Sequence, residues 1–205
     1  MFEIEKKFKL SEDDVEKLTK GAEFLSEKTF TDVYFDTSEF ALTKNDIWLR
    51  KRGDDFELKL PMHNEENKLT QQYQEIEGEE KIREIFAIPI LNNFETDIRA
   101  FAYQPFCECI TTRKKFKKEE FIIDLDVVEY KLEDGSLADF THDLAEIEIL
   151  VENKNEMSAA AEKIEKFALK NGLKNDYVRG KVLEFLKRKK PEHFQTLIEA
   201  GVVRE

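Results

Sequence analysis

The chain has 205 residues, 40% of them hydrophobic, with only 7 Gly and 4 Pro, which supports one substantial core and excludes extended disorder. Charged residues reach 38%, against roughly 25% in an ordinary globular protein, and the net charge of −12 argues against general binding to nucleic acid or an anionic membrane. The chain is charged from Glu3 onward and has no run of about 18 apolar residues, so neither a signal peptide nor a membrane-spanning helix is expected.

Residues 2 to 8 alternate with period two and read as a strand. Ser11 is a candidate N-cap for a helix from Glu12 to about Lys20. A second strand is expected over 28–36, and a hairpin over Ile47–Arg52 and Asp55–Leu60 that turns at Gly53-Asp54. Met62 to Lys68 is polar and reads as a loop, followed by a strand over 70–77 and helices near 78–87 and 93–101. Strands are expected at 105–114, 116–127 and 144–151, with a short pair around Asp134-Gly135. Helical spacing then covers 156–171, stopping at Asn171-Gly172, and two more helices follow near 176–189 and 191–200, the last with Pro191 in its first turn. No repeat or linker divides the chain, so a single domain over 1–205 is expected.

Charge sits on the strands in a regular way. Side chains at i and i+2 of a strand share a face, and such pairs recur as Glu3, Glu5 and Lys7; Trp48, Arg50 and Arg52; Glu57 and Lys59; Glu75 and Glu77; Arg113 and Lys115; Asp124 and Asp126; Glu146 and Glu148. One wet sheet face explains any single strand. Repetition on nearly every strand favours a closed barrel with a charged interior, its apolar outer faces covered by the amphipathic helices. Buried charge must be paired with ligand, metal or opposite charge. Lys7, Arg50, Arg52, Lys59, Arg113 and Lys115 suit phosphate oxygens, and Glu3, Glu5, Glu146, Glu148 and the aspartates offer hard donors for Mg²⁺ or Mn²⁺.

Other features point to no chemistry. Cys107 and Cys109 read as buried thiols in a reducing compartment, and His63, His142 and His193 are too scattered for a zinc site. No G-x-x-x-x-G-K-S/T loop is present. Lys187 to Lys190 reads as a solvated helix end.

Glu3-Ile4-Glu5-Lys6-Lys7 resembles the ExExK signature of the CYTH, or triphosphate tunnel, superfamily. Trp48-Leu49-Arg50-Lys51-Arg52, Glu57-Leu58-Lys59, Arg113, Asp124-Leu125-Asp126, Glu146-Ile147-Glu148 and Lys181 follow in the family's order. Val33 to Thr37, Leu60-Pro61, Asp139-Phe140, Lys181 to Leu186 and Pro191 to Phe194 are similar to the thiamine triphosphatases within it.

The resemblance implies an α+β fold, an eight-stranded antiparallel β-barrel tunnel with helices packed outside, and Mg²⁺-dependent hydrolysis of the terminal phosphate of a small triphosphate such as thiamine triphosphate. By the same resemblance Arg50, Arg52, Lys59, Arg113 and Lys181 grip phosphate, with Lys7 and Lys115 added by residue type and Arg52, Lys59 and Lys181 expected to be catalytic. Trp48 packs on thiamine, and Glu3, Glu5, Asp124, Glu146 and Glu148 serve the metal. About ten extra residues between Asp126 and Glu146 imply a longer hairpin at the tunnel mouth. They leave the inward carboxylate open among Asp124, Asp126 and Asp139, with Asp124 favoured because it follows Ile122-Ile123. Inorganic tripolyphosphate is the alternative substrate, and a non-catalytic polyphosphate or nucleotide binder the alternative class. A cytoplasmic monomer is expected.

Overall fold

The computed structural model describes residues 2–62, 71–174 and 176–203. His63 and the expected polar loop beyond Met62 lie outside the described residues.

Eight antiparallel strands close a barrel in the order β1-β5-β4-β3-β2-β6-β7-β8. They are β1 (Phe2–Phe8), β2 (Glu23–Asp36), β3 (Trp48–Arg52), β4 (Asp55–Pro61), β5 (Gln71–Glu77), β6 (Gln104–Lys118), β7 (Phe121–Lys131) and β8 (Leu137–Val151). Closure comes from β1, which pairs with β5 on one side and β8 on the other and sets Glu5 opposite Glu148 and Lys7 opposite Glu146. Six helices are described: α1 (Glu12–Thr19), α2 (Glu79–Phe86), α3 (Phe94–Ala100), α4 (Met157–Lys170), α5 (Lys181–Lys189) and α6 (Pro191–Glu199). None is long and apolar enough to cross a membrane.

The period-two pattern sorts the strands as the charges require. On the outer face of β1, β7 and β8, Ile4, Ile123, Ile147 and Ile149 are covered by Ala160, Ala161, Ile164 and Phe167 of α4. Leu49, Phe56 and Leu58 on β3 and β4 are covered by Ile82 of α2 and by Phe94 and Ile98 of α3. Each large apolar side chain buried this way contributes about 1.5–3 kcal/mol. Arg83 of α2 and Asp97 of α3 meet at 2.8 Å, both almost wholly buried. Asp97 also accepts from the backbone N–H groups of Leu91 and Asn92. Ser11 caps α1 in a reciprocal bond with Asp14.

α5 and α6 do something different. Val182, Leu183, Phe185 and Leu186 pack against inward-facing Cys107, Cys109, Val128 and Tyr130, so α5 lies against the barrel's inner surface at one end. Both cysteines are buried and free, as expected.

The strands are longer than their sequence pattern suggests. β2 begins at Glu23 rather than 28, because its exposed first half pairs with β6 down to Glu23 opposite Lys117 and needs no apolar alternation. β6 runs unbroken through Lys115, and the turn into β7 falls at Glu119-Glu120, with Glu119 at φ 57°. The expected short pair around Asp134-Gly135 is the tip of one long β7–β8 hairpin, with Gly135 at φ 82°. That tip is tied to the end of α5 by Lys190–Glu133 at 2.8 Å and Lys189–Asp139 at 2.9 Å. Lys189 and Lys190 are thus latched to the hairpin and not merely solvated. α5 starts at Lys181, not 176, with Gly180 extended at φ −67° and ψ 164° as its N-cap.

Candidate active site

The inward faces of the strands form a dense field of paired charge. Lys59 on β4 meets Glu3, and lies 3.5 Å from Glu5 and 3.3 Å from Glu75. Arg50 is bonded to Glu57 across the β3–β4 hairpin. Lys7 pairs with Glu5 and lies 3.5 Å from Glu146. Arg113 grips Asp126 through two bonds of 2.6 Å, reaches Glu146 at 2.8 Å and also bonds Asp124. Lys115 contacts Asp124 at 3.0 Å and Glu148 at 3.3 Å. Leaving any of these buried charges alone would cost several kcal/mol, so the network persists as a whole.

Asp32 on β2 is fully buried and was not legible as a site residue. Arg52 holds it with parallel bonds of 2.7 and 2.9 Å, and Lys181 donates to it from α5. Lys181 occupies the first turn of its helix, where the dipole disfavours a cation. Its placement is set by Asp32 and by Tyr130, whose hydroxyl donates 2.8 Å to the Lys181 carbonyl. Gly180 makes the approach possible: a Cβ there would stand 3.0 Å from Cε of Lys7. The ring of Phe30 faces Arg52, Lys181 and Arg113 at 4.1, 5.4 and 5.7 Å.

A cavity of about 110 Å³ opens among these groups. Glu3, Glu5, Lys7, Trp48, Arg50, Lys59, Arg113, Glu146 and Lys181, all expected from the sequence, line it together. Arg52, Lys115, Asp124 and Glu148 do not line it, and instead hold the charges behind its wall. Asp124 and Asp126 both face inward, whereas Asp139 is exposed and paired outside with Lys189. The cavity wall beside Trp48 also includes Tyr34, Tyr73 and Asp46, with Val182, Leu183 and Val202 contributed by the C-terminal segment. Asp46 and Tyr73 carry no charge pairing in the sequence that would have singled them out.

Electrostatics divide the carboxylates. Burial opposes ionisation of Asp32, yet Lys181, Arg52 and Arg50 outweigh it and hold the carboxyl below the usual range. Glu146 is likewise held low against burial by Lys7, Arg113 and Lys59. Burial pushes Asp124 and Asp126 up despite Arg113. Glu148 is pushed up to about 8, by burial first, with Lys115 opposing and the like charges of Asp124, Glu3 and Glu146 adding. Burial, with Asp46 and Glu5 close by, keeps the Tyr73 hydroxyl protonated.

The donor set fits a hard divalent cation in its chemistry. Glu3, Glu5, Asp124, Glu146 and Glu148 are oxygen donors on the adjacent strands β1, β8 and β7. Burial raises Glu148 most, and the like charges of Asp124, Glu3 and Glu146 that add to it are the kind a bound cation relieves. Among the described residues no three such side chains converge on one point, because Lys7, Lys59 and Lys115 stand between them.

A model of the CYTH domain family matches residues 1–180. The thiamine-triphosphatases of Macaca fascicularis and Homo sapiens are each 28% identical, covering 98% and 100% of this chain and 91% and 93% of their own. Among solved structures, the PH1819 protein of Pyrococcus horikoshii OT3 is similar with a TM-score of 0.60 and 25% identity, over 92% of this chain and 99% of that one. HpAC1 from Hippeastrum, described as a putative adenylyl cyclase with dominant triphosphatase activity, shares the fold with a TM-score of 0.50 at 17% identity, over 92% and 96%.

Proposed function

Because this chain belongs to the CYTH domain family, we propose that it is a divalent-metal-dependent triphosphatase that hydrolyses the terminal phosphoanhydride of thiamine triphosphate. One observation carries this reading: a single cavity is lined by the cations Lys7, Arg50, Lys59, Arg113 and Lys181, by the carboxylates Glu3, Glu5 and Glu146, and by Trp48. The names of the two primate relatives point to the same substrate.

Binding is an exchange of partners. Arg50, Lys59 and Arg113 leave carboxylates for phosphate oxygens, so positive charge already desolvated is redirected to the ligand. Arg50 and Arg113 present planar forks to the phosphates, and Lys7 and Lys59 act as point charges. Arg52 and Asp32 fix Lys181 near the terminal phosphate. Holding the triphosphate in one pose supplies most of the catalysis in phosphoryl transfer. Glu3, Glu5, Asp124, Glu146 and Glu148 would hold Mg²⁺ or Mn²⁺, which would supply neutralisation of the phosphate oxygens. Water attacks the terminal phosphorus in line, the bond to the bridging oxygen breaks, and orthophosphate, thiamine diphosphate and a proton leave.

The cation field by itself also suits inorganic tripolyphosphate. Phosphate release from thiamine triphosphate, tripolyphosphate and ATP, with and without Mg²⁺, tests the reading. Metal-dependent release with preference for thiamine triphosphate is expected, and release from none of the three would leave a binding protein.

A further inference from the structure

The cavity wall holds a carboxylate that the proposed phosphate chemistry does not use. Asp46 follows the 3-10 turn Thr43–Asn45 in the left-handed region, at φ 59° and ψ 26°. Asp and Asn are the side chains besides Gly that tolerate this conformation. The turn is pinned from behind. Asp36 accepts from the backbone N–H groups of Leu42 at 2.9 Å and Thr43 at 2.8 Å. The Thr43 hydroxyl and Nε2 of His193 on α6 are 2.7 Å apart.

On its cavity side, Oδ1 of Asp46 accepts from Nε1 of Trp48 at 2.8 Å and from the Tyr73 hydroxyl at 3.0 Å. One carboxylate thereby sets the plane of both aromatic rings. Val182, Leu183 and Val202 face the same space. Here a carboxylate beside two aromatic rings and an apolar wall would repel a phosphate and attract a flat ring bearing positive charge.

We propose that Asp46 is the specificity-determining residue for the organic end of the substrate, selecting a cationic aromatic head group over a neutral base and over bare polyphosphate. The inference rests on the thiamine triphosphate reading above, since a thiazolium is such a head group. Asp46 acts twice, through its charge and by holding the Trp48 platform.

The test compares kcat/KM for thiamine triphosphate and for tripolyphosphate in the wild type and in Asp46→Asn. Asparagine keeps the left-handed backbone and an acceptor oxygen for both donors, and removes the charge. The thiamine triphosphate to tripolyphosphate ratio is expected to fall about tenfold, mainly through KM; a ratio within twofold of wild type overturns the assignment. In Asp46→Ala, which also loses the acceptor, the emission of Trp48, the chain's only tryptophan, is expected to shift, and unchanged emission overturns the positioning role. A second measurement needs no variant: thiamine should inhibit wild-type tripolyphosphate hydrolysis at least tenfold more tightly than its uncharged thiazole alcohol, and equal inhibition overturns the proposal. A wild type preferring thiamine triphosphate with an unmoved Asp46→Asn ratio fails Asp46 alone, whereas a wild type indifferent to the thiamine group fails both readings.

Discussion

Lys181 donates to Asp32 across 149 residues of sequence, and Arg52 holds the same carboxylate from β3. The lysine is thus aimed, while the carboxylate keeps a second cation. Lys181→Ala is expected to lower kcat/KM by about 100-fold or more, near 3 kcal/mol of transition-state stabilisation. Its melting temperature should move little, because Arg52 still neutralises Asp32. Steady-state kinetics beside thermal melting check this, and equal loss of both would make Lys181 structural.

Trp48 is buried on the same face as Arg50 and Arg52. Trp48→Ala is expected to cost thiamine triphosphate about 10- to 100-fold in kcat/KM, roughly 1.4–2.7 kcal/mol, and to spare tripolyphosphate by comparison. Parallel losses on both substrates would assign the indole to packing.

Gly180 stands against Lys7, with room for no side chain unless the lysine moves. Its φ of −67° carries no strain for other residues. Gly180→Ala should therefore displace Lys7 from Glu5 and Glu146, raising KM about tenfold with a stability change of about 1 kcal/mol or less. A measured KM equal to wild type contradicts this.

Divalent metal should stabilise the fold, since a ligand that binds only the native state adds about 2.7 kcal/mol at a hundred times its Kd. Melting in Mg²⁺ or Mn²⁺ is expected to exceed melting in chelator, and Glu5→Gln and Glu148→Gln should each erase most of that increment. A wild type that melts identically in both buffers contradicts the metal assignment.

His193 is buried between Phe40, stacked at 3.8 Å, and Phe106, and burial lowers its pKa to about 4 despite Asp36. The unfolded chain binds a proton near pH 6.5 that the folded chain refuses until about 4, so stability falls as pH drops through that window. From pH 7 to 5 the loss should be on the order of 1–2 kcal/mol. His193→Gln, which does not titrate, should show a shallower decline in melting temperature; matching slopes would exclude the histidine.

The charged strand faces were legible because period two is rigid: Glu3, Glu5, Arg50, Lys59, Arg113 and Glu146 reach one cavity for the reason their spacing implies. Asp32 was not, because its partners lie on β3 and α5, far away in sequence. Asp46 and Tyr73 meet Trp48 only through a left-handed turn and barrel closure, which local pattern does not encode. The start of α5 was misplaced for a similar reason. Gly180 is the extended N-cap of α5, and its close approach to Lys7 is a tertiary contact that the local pattern does not encode.

The barrel closes by pairing its first strand, Phe2–Phe8, with its last, Leu137–Val151, and Lys181 enters later still. A chain emerging from the ribosome therefore carries β1 with one edge unsatisfied until some 150 residues have been made, and lacks the α5 wall of the cavity until Lys181 to Leu183 follow. Truncation before Lys181 should yield a sheet with an unguarded edge or a barrel lacking that lysine, so activity is expected to arrive all at once with the last eighth of the chain.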